Sequence, residues 1–194
     1  MNRNETTPRW MDRSLIALLA VSLTLNAAMA WKLHQGTLAA ASRARAKAEE
    51  GLLAKGAALP SIEATGPDGK MARIDVAGAA GSGTLVYVFA SRCGWCERNQ
   101  ANFEALAKAV ENRYRVVALA LDEGEILKTT AYRSPSGATI DAYRLGATPG
   151  MIAIAPDGRV DRHWLGAWSG RTGEEVEAYF GVKLPGVETT TAAD

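Results

Sequence analysis

The chain has 194 residues, a net charge of +1, and 22% charged against 47% apolar residues. That balance fits one globular domain with an appendage and excludes a charge-swollen disordered chain. No dense basic run with interleaved aromatics occurs, which leaves nucleic-acid binding without support.

The charge is unevenly spread. Residues 1–56 carry eight Lys/Arg and four Asp/Glu, whereas residues 57–194 carry fourteen and seventeen. Arg3, Arg9 and Arg13 precede an uncharged stretch from Ser14 to Trp31. Those 18 residues lie at the short edge of a membrane-spanning helix. Two readings stand side by side. Leu15 to Leu25 fits the apolar part of a signal peptide, with Ala28-Met29-Ala30 as a cleavage pattern. Trp10 and Trp31 flank the stretch as interfacial aromatics, which favours an uncleaved anchor. A buried helix of a soluble domain is the third reading, and the charged n-region argues against it. Lys32 alone lies close on the far side, so the charge bias keeps the N-terminus inside and the rest of the chain outside.

The expected organisation is residues 1–13 as a cytoplasmic n-region, 14–31 as anchor or signal segment, and 32–56 as a solvated helical stalk. A domain over 57–184 and a tail over 185–194 follow. Leu38 to Lys55 is rich in strong helix formers, and Gly56 is its expected stop. Pro67-Asp68-Gly69 between two short apolar runs predicts an opening hairpin. Thr84 to Ala90 reads as a buried strand. Glu97 to Tyr114 reads as a helix, with Phe103, Leu106, Ala107 and Val110 on its buried face. Arg115 to Leu121 is the next strand, parallel to the first because a helix joins them. Asp122 to Ser136 is read as a helix with a loop, and Asp141 to Leu145 as a short helix ending at Gly146. Gly150 to Ala155, the turn Pro156-Asp157-Gly158 and Arg159 to Trp164 predict an antiparallel hairpin, and Thr172 to Phe180 a last helix.

Chemistry concentrates at Cys93-Gly94-Trp95-Cys96, which holds the only two cysteines of the chain. The motif falls between a strand and a helix. Unpaired backbone N–H groups and the positive dipole end favour a thiolate there. A structural zinc site needs two further ligands, and His34 and His163 are not at ligand spacing. Haem attachment is excluded because Glu97, not His, follows Cys96. An inert buried pair would have no need of a strand-to-helix turn. Redox use is the reading that remains.

Taken together, three features resemble the thioredoxin superfamily, in particular its membrane-anchored TlpA/ResA-type thiol-disulfide oxidoreductases. They are Cys93-Gly94-Trp95-Cys96 after a buried strand, Gly146-Ala147-Thr148-Pro149 just before a later strand, and Pro156-Asp157-Gly158-Arg159-Val160 in a hairpin. The resemblance covers about residues 57–184. It implies an α/β thioredoxin fold, a mixed central sheet flanked by helices, with an N-terminal β-hairpin extension and a preceding transmembrane or signal helix. It further implies a redox-active Cys93–Cys96 disulfide, with Cys93 as nucleophile and Cys96 as resolving thiol. Pro149 is expected in the cis form facing the disulfide, with Thr148 offering backbone hydrogen bonds to a partner. Trp95 is expected as an apolar lip for clients or a shield for Cys96. Arg92 is either a stabiliser of the Cys93 thiolate or a surface cation.

Two departures matter. The position six residues before Cys93, where many thioredoxins carry a buried acid, is Tyr87. Proton handling must rest on another group or on water. The inner dipeptide is Gly94-Trp95, not Gly-Pro. The implied function is an extracytoplasmic oxidoreductase acting on protein cysteine pairs, donating electrons rather than withdrawing them. It needs no cofactor beyond its disulfide and no metal, and a membrane thiol-disulfide carrier recharges it. In a bacterial cell this places it at the inner membrane, single-pass, with the domain in the periplasm, or free in the periplasm if cleaved after Ala30. The alternative is a Cu(I)-binding metallochaperone, for which His163 is the one candidate histidine in the domain. A thiol peroxidase is disfavoured, because Phe89-Ala90-Ser91-Arg92 lacks the expected proline.

Overall fold

The computed structural model describes residues 18–37, 51–78, 81–124 and 130–186. The chain divides into two compact units, Met1–Glu50 and Gly51–Asp194.

In the first unit a helix over residues 18–37 (α1) exposes all of its residues, including Leu18, Leu23, Leu25, Trp31 and Leu33. Its polar residues fold back on their own backbone. Thr24 Oγ1 donates to the Val21 carbonyl at 2.9 Å and Asn26 Nδ2 to the Ser22 carbonyl at 2.8 Å. The first residues of the expected span, 14–17, lie outside the described residues. Among the described residues no helix is long and apolar enough to cross a membrane.

The second unit is built on one seven-stranded mixed sheet. Its strands are β1 (Ile62–Thr65), β2 (Met71–Ile74), β3 (Gly83–Phe89), β4 (Tyr114–Ala120), β5 (Tyr132–Arg133), β6 (Gly150–Ile154) and β7 (Val160–Leu165). The order across the sheet is β2-β1-β5-β4-β3-β6-β7. β3 and β4 run parallel, joined through helix α2 (Gly94–Val110). β6 runs antiparallel to β3, and β7 antiparallel to β6. Both Pro-Asp-Gly turns form as expected. In each, the glycine takes positive φ (+75° at Gly69, +79° at Gly158) and the aspartate Oδ1 accepts the N–H two residues on at 3.1 Å.

The period of two along the strands sorts the core into two layers. Leu85, Tyr87 and Phe89 of β3 pack with Phe103, Leu106 and Val110 of α2 and Val176 and Phe180 of α4 (Gly170–Phe180). Val86 and Val88 face the other layer, with Ile62, Ile74, and Tyr143 of α3 (Gly137–Tyr143). The expected buried face of α2 is present, although Ala107 is only partly buried and Asn99 and Asn102 are buried beside it.

The structure corrects three expectations. Residues 38–50 of the proposed stalk lie outside the described residues, and 51–56 are not helical. They pack on the domain instead: Arg144 donates to the Leu52 carbonyl, the Leu53 N–H to His163 Nδ1, and the Gly56 N–H to the Val160 carbonyl. The compact unit therefore begins at Gly51, not Ala57. Of the helix with a loop expected between Asp122 and Ser136, residues 125–129 lie outside the described residues, and the described ones hold a two-residue strand, β5. α3 begins at Gly137, four residues earlier than Asp141, because Ser136 Oγ accepts the Thr139 N–H and caps it. The tail from residue 187 lies outside the described residues.

Candidate active site

β3 ends at Phe89, and Ala90-Ser91-Arg92 carries the chain to Cys93. Cys93 is the N-cap of α2, in extended backbone conformation. Its sulfur is bonded to that of Cys96. Cys93 Sγ also accepts the Cys96 N–H at 3.1 Å, and its carbonyl accepts the Glu97 N–H at 3.1 Å. The Cys96 N–H is shared between the Cys93 carbonyl, at 2.9 Å, and the leading sulfur, and this first-turn donor favours negative charge on the sulfur. The two sulfurs are not equivalent. Cys93 is partly exposed, whereas Cys96 is 1% exposed and belongs to the core layer beneath α2.

The approach to Cys93 is clamped by a residue that the sequence reading did not single out. Asp122, just after β4, accepts from the Ser91 N–H at 3.0 Å and from Ser91 Oγ at 2.8 Å. The Gly124 N–H donates to the same carboxylate at 3.3 Å. A Cβ on Gly124 would stand 2.0 Å from Ser91 Cβ, so only glycine permits this approach. Burial pushes the Asp122 carboxyl up, but the Ser91 and Gly124 bonds and the nearby Arg92 charge outweigh it and hold it below its usual range. Arg92 is exposed, and its charge is thus felt by Asp122. Asp122→Ala is expected to cost about 1–2 kcal/mol in urea unfolding, the worth of hydrogen bonds to a charged group at a half-buried site.

Trp95, next to Cys96 in the chain, is 51% exposed. The Arg98 guanidinium lies 4.0 Å over its ring, and Arg98 Nε donates to the Gly94 carbonyl at 3.4 Å. The Thr148–Pro149 bond is cis. Gly150, the first residue of β6, pairs with Val88 of β3, so the Thr148-Pro149 turn lies at the sheet end from which Cys93 departs. Thr148 is half-buried and Pro149 buried.

His163 is not brought to this site. In the register of β7 it pairs with Ile152, whose side chain lies in the layer opposite that of Cys96. Its Nδ1 accepts the Leu53 N–H at 2.9 Å. Among the described residues no group of three or more His, Cys, Asp or Glu side chains is placed to hold a metal ion.

No protein-family model matches the sequence, and no curated protein matches it. Solved structures do. A Chlorobium tepidum protein assigned as the thiol:disulfide interchange protein DsbE superposes with a TM-score of 0.52 at 22% identity, over 66% of this chain and 96% of the other. The thioredoxin domain of a thiol-disulfide oxidoreductase from Bacteroides vulgatus superposes with a TM-score of 0.53 at 17% identity, over 66% of this chain and 99% of that one. The fold is thioredoxin-like.

Proposed function

We propose that this chain is a thiol-disulfide oxidoreductase acting on cysteine pairs of other proteins. The observation that carries it is the Cys93–Cys96 disulfide at the N-terminus of α2, with one sulfur reachable and the other buried. The fold shared with the Chlorobium tepidum interchange protein and the Bacteroides vulgatus oxidoreductase domain supports it.

In the reducing direction the Cys93 thiolate attacks one sulfur of a client disulfide. The client S–S bond breaks, a Cys93–client bond forms, and the other client sulfur leaves as thiolate. Cys96, as thiolate, then attacks Cys93 Sγ. This closes Cys93–Cys96 and expels the second client thiolate, and two electrons have passed to the client. Trp95 supplies apolar contact to the client, and Thr148, at the same sheet end, offers its backbone. The redox-active disulfide is the only redox centre the reaction needs, and a membrane thiol carrier returns the electrons.

The same reading places the domain outside the cytoplasm, held at the membrane by the N-terminal segment. Support comes from the three arginines before Ser14 and from the exposed apolar side chains of α1. Further support is the internal bonding of Thr24 and Asn26, which suits a helix without water around it. Donation of electrons is the preferred direction. A Cu(I) carrier is less well supported, because His163 sits across the sheet from both sulfurs.

The full chain is expected to accelerate insulin reduction by dithiothreitol. Its disulfide is expected to equilibrate close to about −270 mV, the thioredoxin value, rather than about −120 mV. No acceleration over dithiothreitol alone would sink the proposal, and a potential near the second value would reverse its direction.

A further inference from the structure

Few large apolar side chains of the domain are left in water. Among its described residues they are Met71, Trp95 and Ile140, and of these Trp95 alone belongs to the redox motif. Its ring is not bare. Arg98 follows three residues later, on the same exposed face of α2, and its guanidinium stands 4.0 Å from the ring centroid. Arg98 Nε donates to the Gly94 carbonyl at 3.4 Å. A guanidinium stacked this way covers one of its faces with the indole and keeps its two terminal nitrogens for an acceptor.

Among the described residues no carboxylate takes those nitrogens up. The positions one turn away on α2 are Gly94, Trp95, Ala101 and Asn102, and none is acidic. Glu97 is the sequence neighbour of Arg98 and so is turned off its face. Glu104, the next acid along the helix, accepts from Gln100 at 2.9 Å. Asp122 is taken by Ser91 and Gly124. Arg92, exposed just before the N-cap, is a second cation at this end of α2. The helix itself has no use for either charge, because its N-terminus is the positive end of its dipole and disfavours cations.

Resting on the oxidoreductase reading above, we propose that the stacked Arg98–Trp95 pair determines client specificity by selecting segments that carry a carboxylate close to the cysteine attacked by Cys93. The free edge of the guanidinium matches a carboxylate in a two-pronged, charge-assisted hydrogen bond. The exposed part of the indole takes the apolar stem of the same segment. Cys93 and Arg98 are five positions apart on α2, about 7.5 Å along its axis, which an extended client chain covers in about two residues. One short segment therefore reaches Arg98 while its sulfur meets Cys93.

Two disulfide-closed peptides test this, identical except for Glu or Gln placed two residues from each cysteine. The rate of each with the reduced full chain is divided by its rate with dithiothreitol, which removes the intrinsic reactivity of the peptide. Wild type is expected to favour the Glu peptide about fivefold at low salt, the worth of one exposed ion pair, and to lose that preference in high salt. Arg98→Gln is expected to bring the ratio to about one, and Arg98→Lys, which keeps the charge without the fork, to hold part of it. A wild-type ratio of one overturns the inference. So does a ratio that survives Arg98→Gln while both rates fall together, which is the signature of a structural role or of support for the Cys93 thiolate. A preference lost in Arg92→Gln but kept in Arg98→Gln overturns the assignment to Arg98. Absence of exchange with either peptide would instead strike the oxidoreductase reading on which the inference rests.

Discussion

Cys93→Ser is expected to bring insulin reduction down to the rate of dithiothreitol alone, while Cys96→Ser leaves a client protein covalently attached. The two effects differ because the two sulfurs occupy different environments. Cys93 caps α2, is partly exposed, and receives the Cys96 N–H at 3.1 Å. It is the sulfur that both meets a client and is stabilised as an anion. Cys96, at 1% exposure, has no path to a client disulfide but stands within bonding reach of Cys93. Removing Cys93 removes the attack. Removing Cys96 removes only the intramolecular release, so the Cys93–client bond persists. Non-reducing electrophoresis of each variant after mixing with oxidised insulin separates the outcomes. Serine at 93 with undiminished turnover, or trapping by the Cys93→Ser variant, would show that the chemistry runs through another atom.

What the sequence disclosed follows from how local each feature is. The Pro-Asp-Gly turns, the β3 strand and the α2 face at Phe103, Leu106 and Val110 are set by residues within a few positions of one another, and they formed as read. The Cys93–Cys96 pair and the cis Thr148–Pro149 bond stand where motif and order put them. The features missed depend on distant partners. β5 is two residues long and exists because Thr65 and Leu119–Ala120 lie on either side of it. Residues 51–56 lack apolar periodicity, yet His163, 110 positions later, holds Leu53. Asp122 and Asn99 are polar residues whose meaning arises from Ser91 and Trp168 across the fold. A carboxylate just after a buried strand, two residues before a glycine, was the one local sign of the first of these.

Stability is expected to fall on the order of 3 kcal/mol as the pH drops from above 6.5 to about 4, because of one histidine. His163 is 7% exposed. Burial, and then the Arg144 charge, push its pKa down from 6.5 to about 4. Its Nδ1 accepts the Leu53 N–H and so must stay unprotonated for the 51–53 segment to hold. Between those two values the unfolded chain binds a proton that the native protein refuses, so the native state loses ground with each unit of acid. Above pH 6.5 the contribution is complete, and below about 4 it is gone. The carboxyls of Asp122, Asp161 and Glu177 are held below their usual ranges, so their own losses come at lower pH. The interval from 6.5 to 5 therefore isolates His163. His163→Asn sets its Oδ1 where Nδ1 stands, keeps an acceptor for the Leu53 N–H and titrates nowhere in that interval, so its urea midpoint is expected to stay level there while that of wild type declines. Parallel curves for the two proteins would show that His163 carries no such linkage and that the Leu53 contact does not depend on a neutral imidazole.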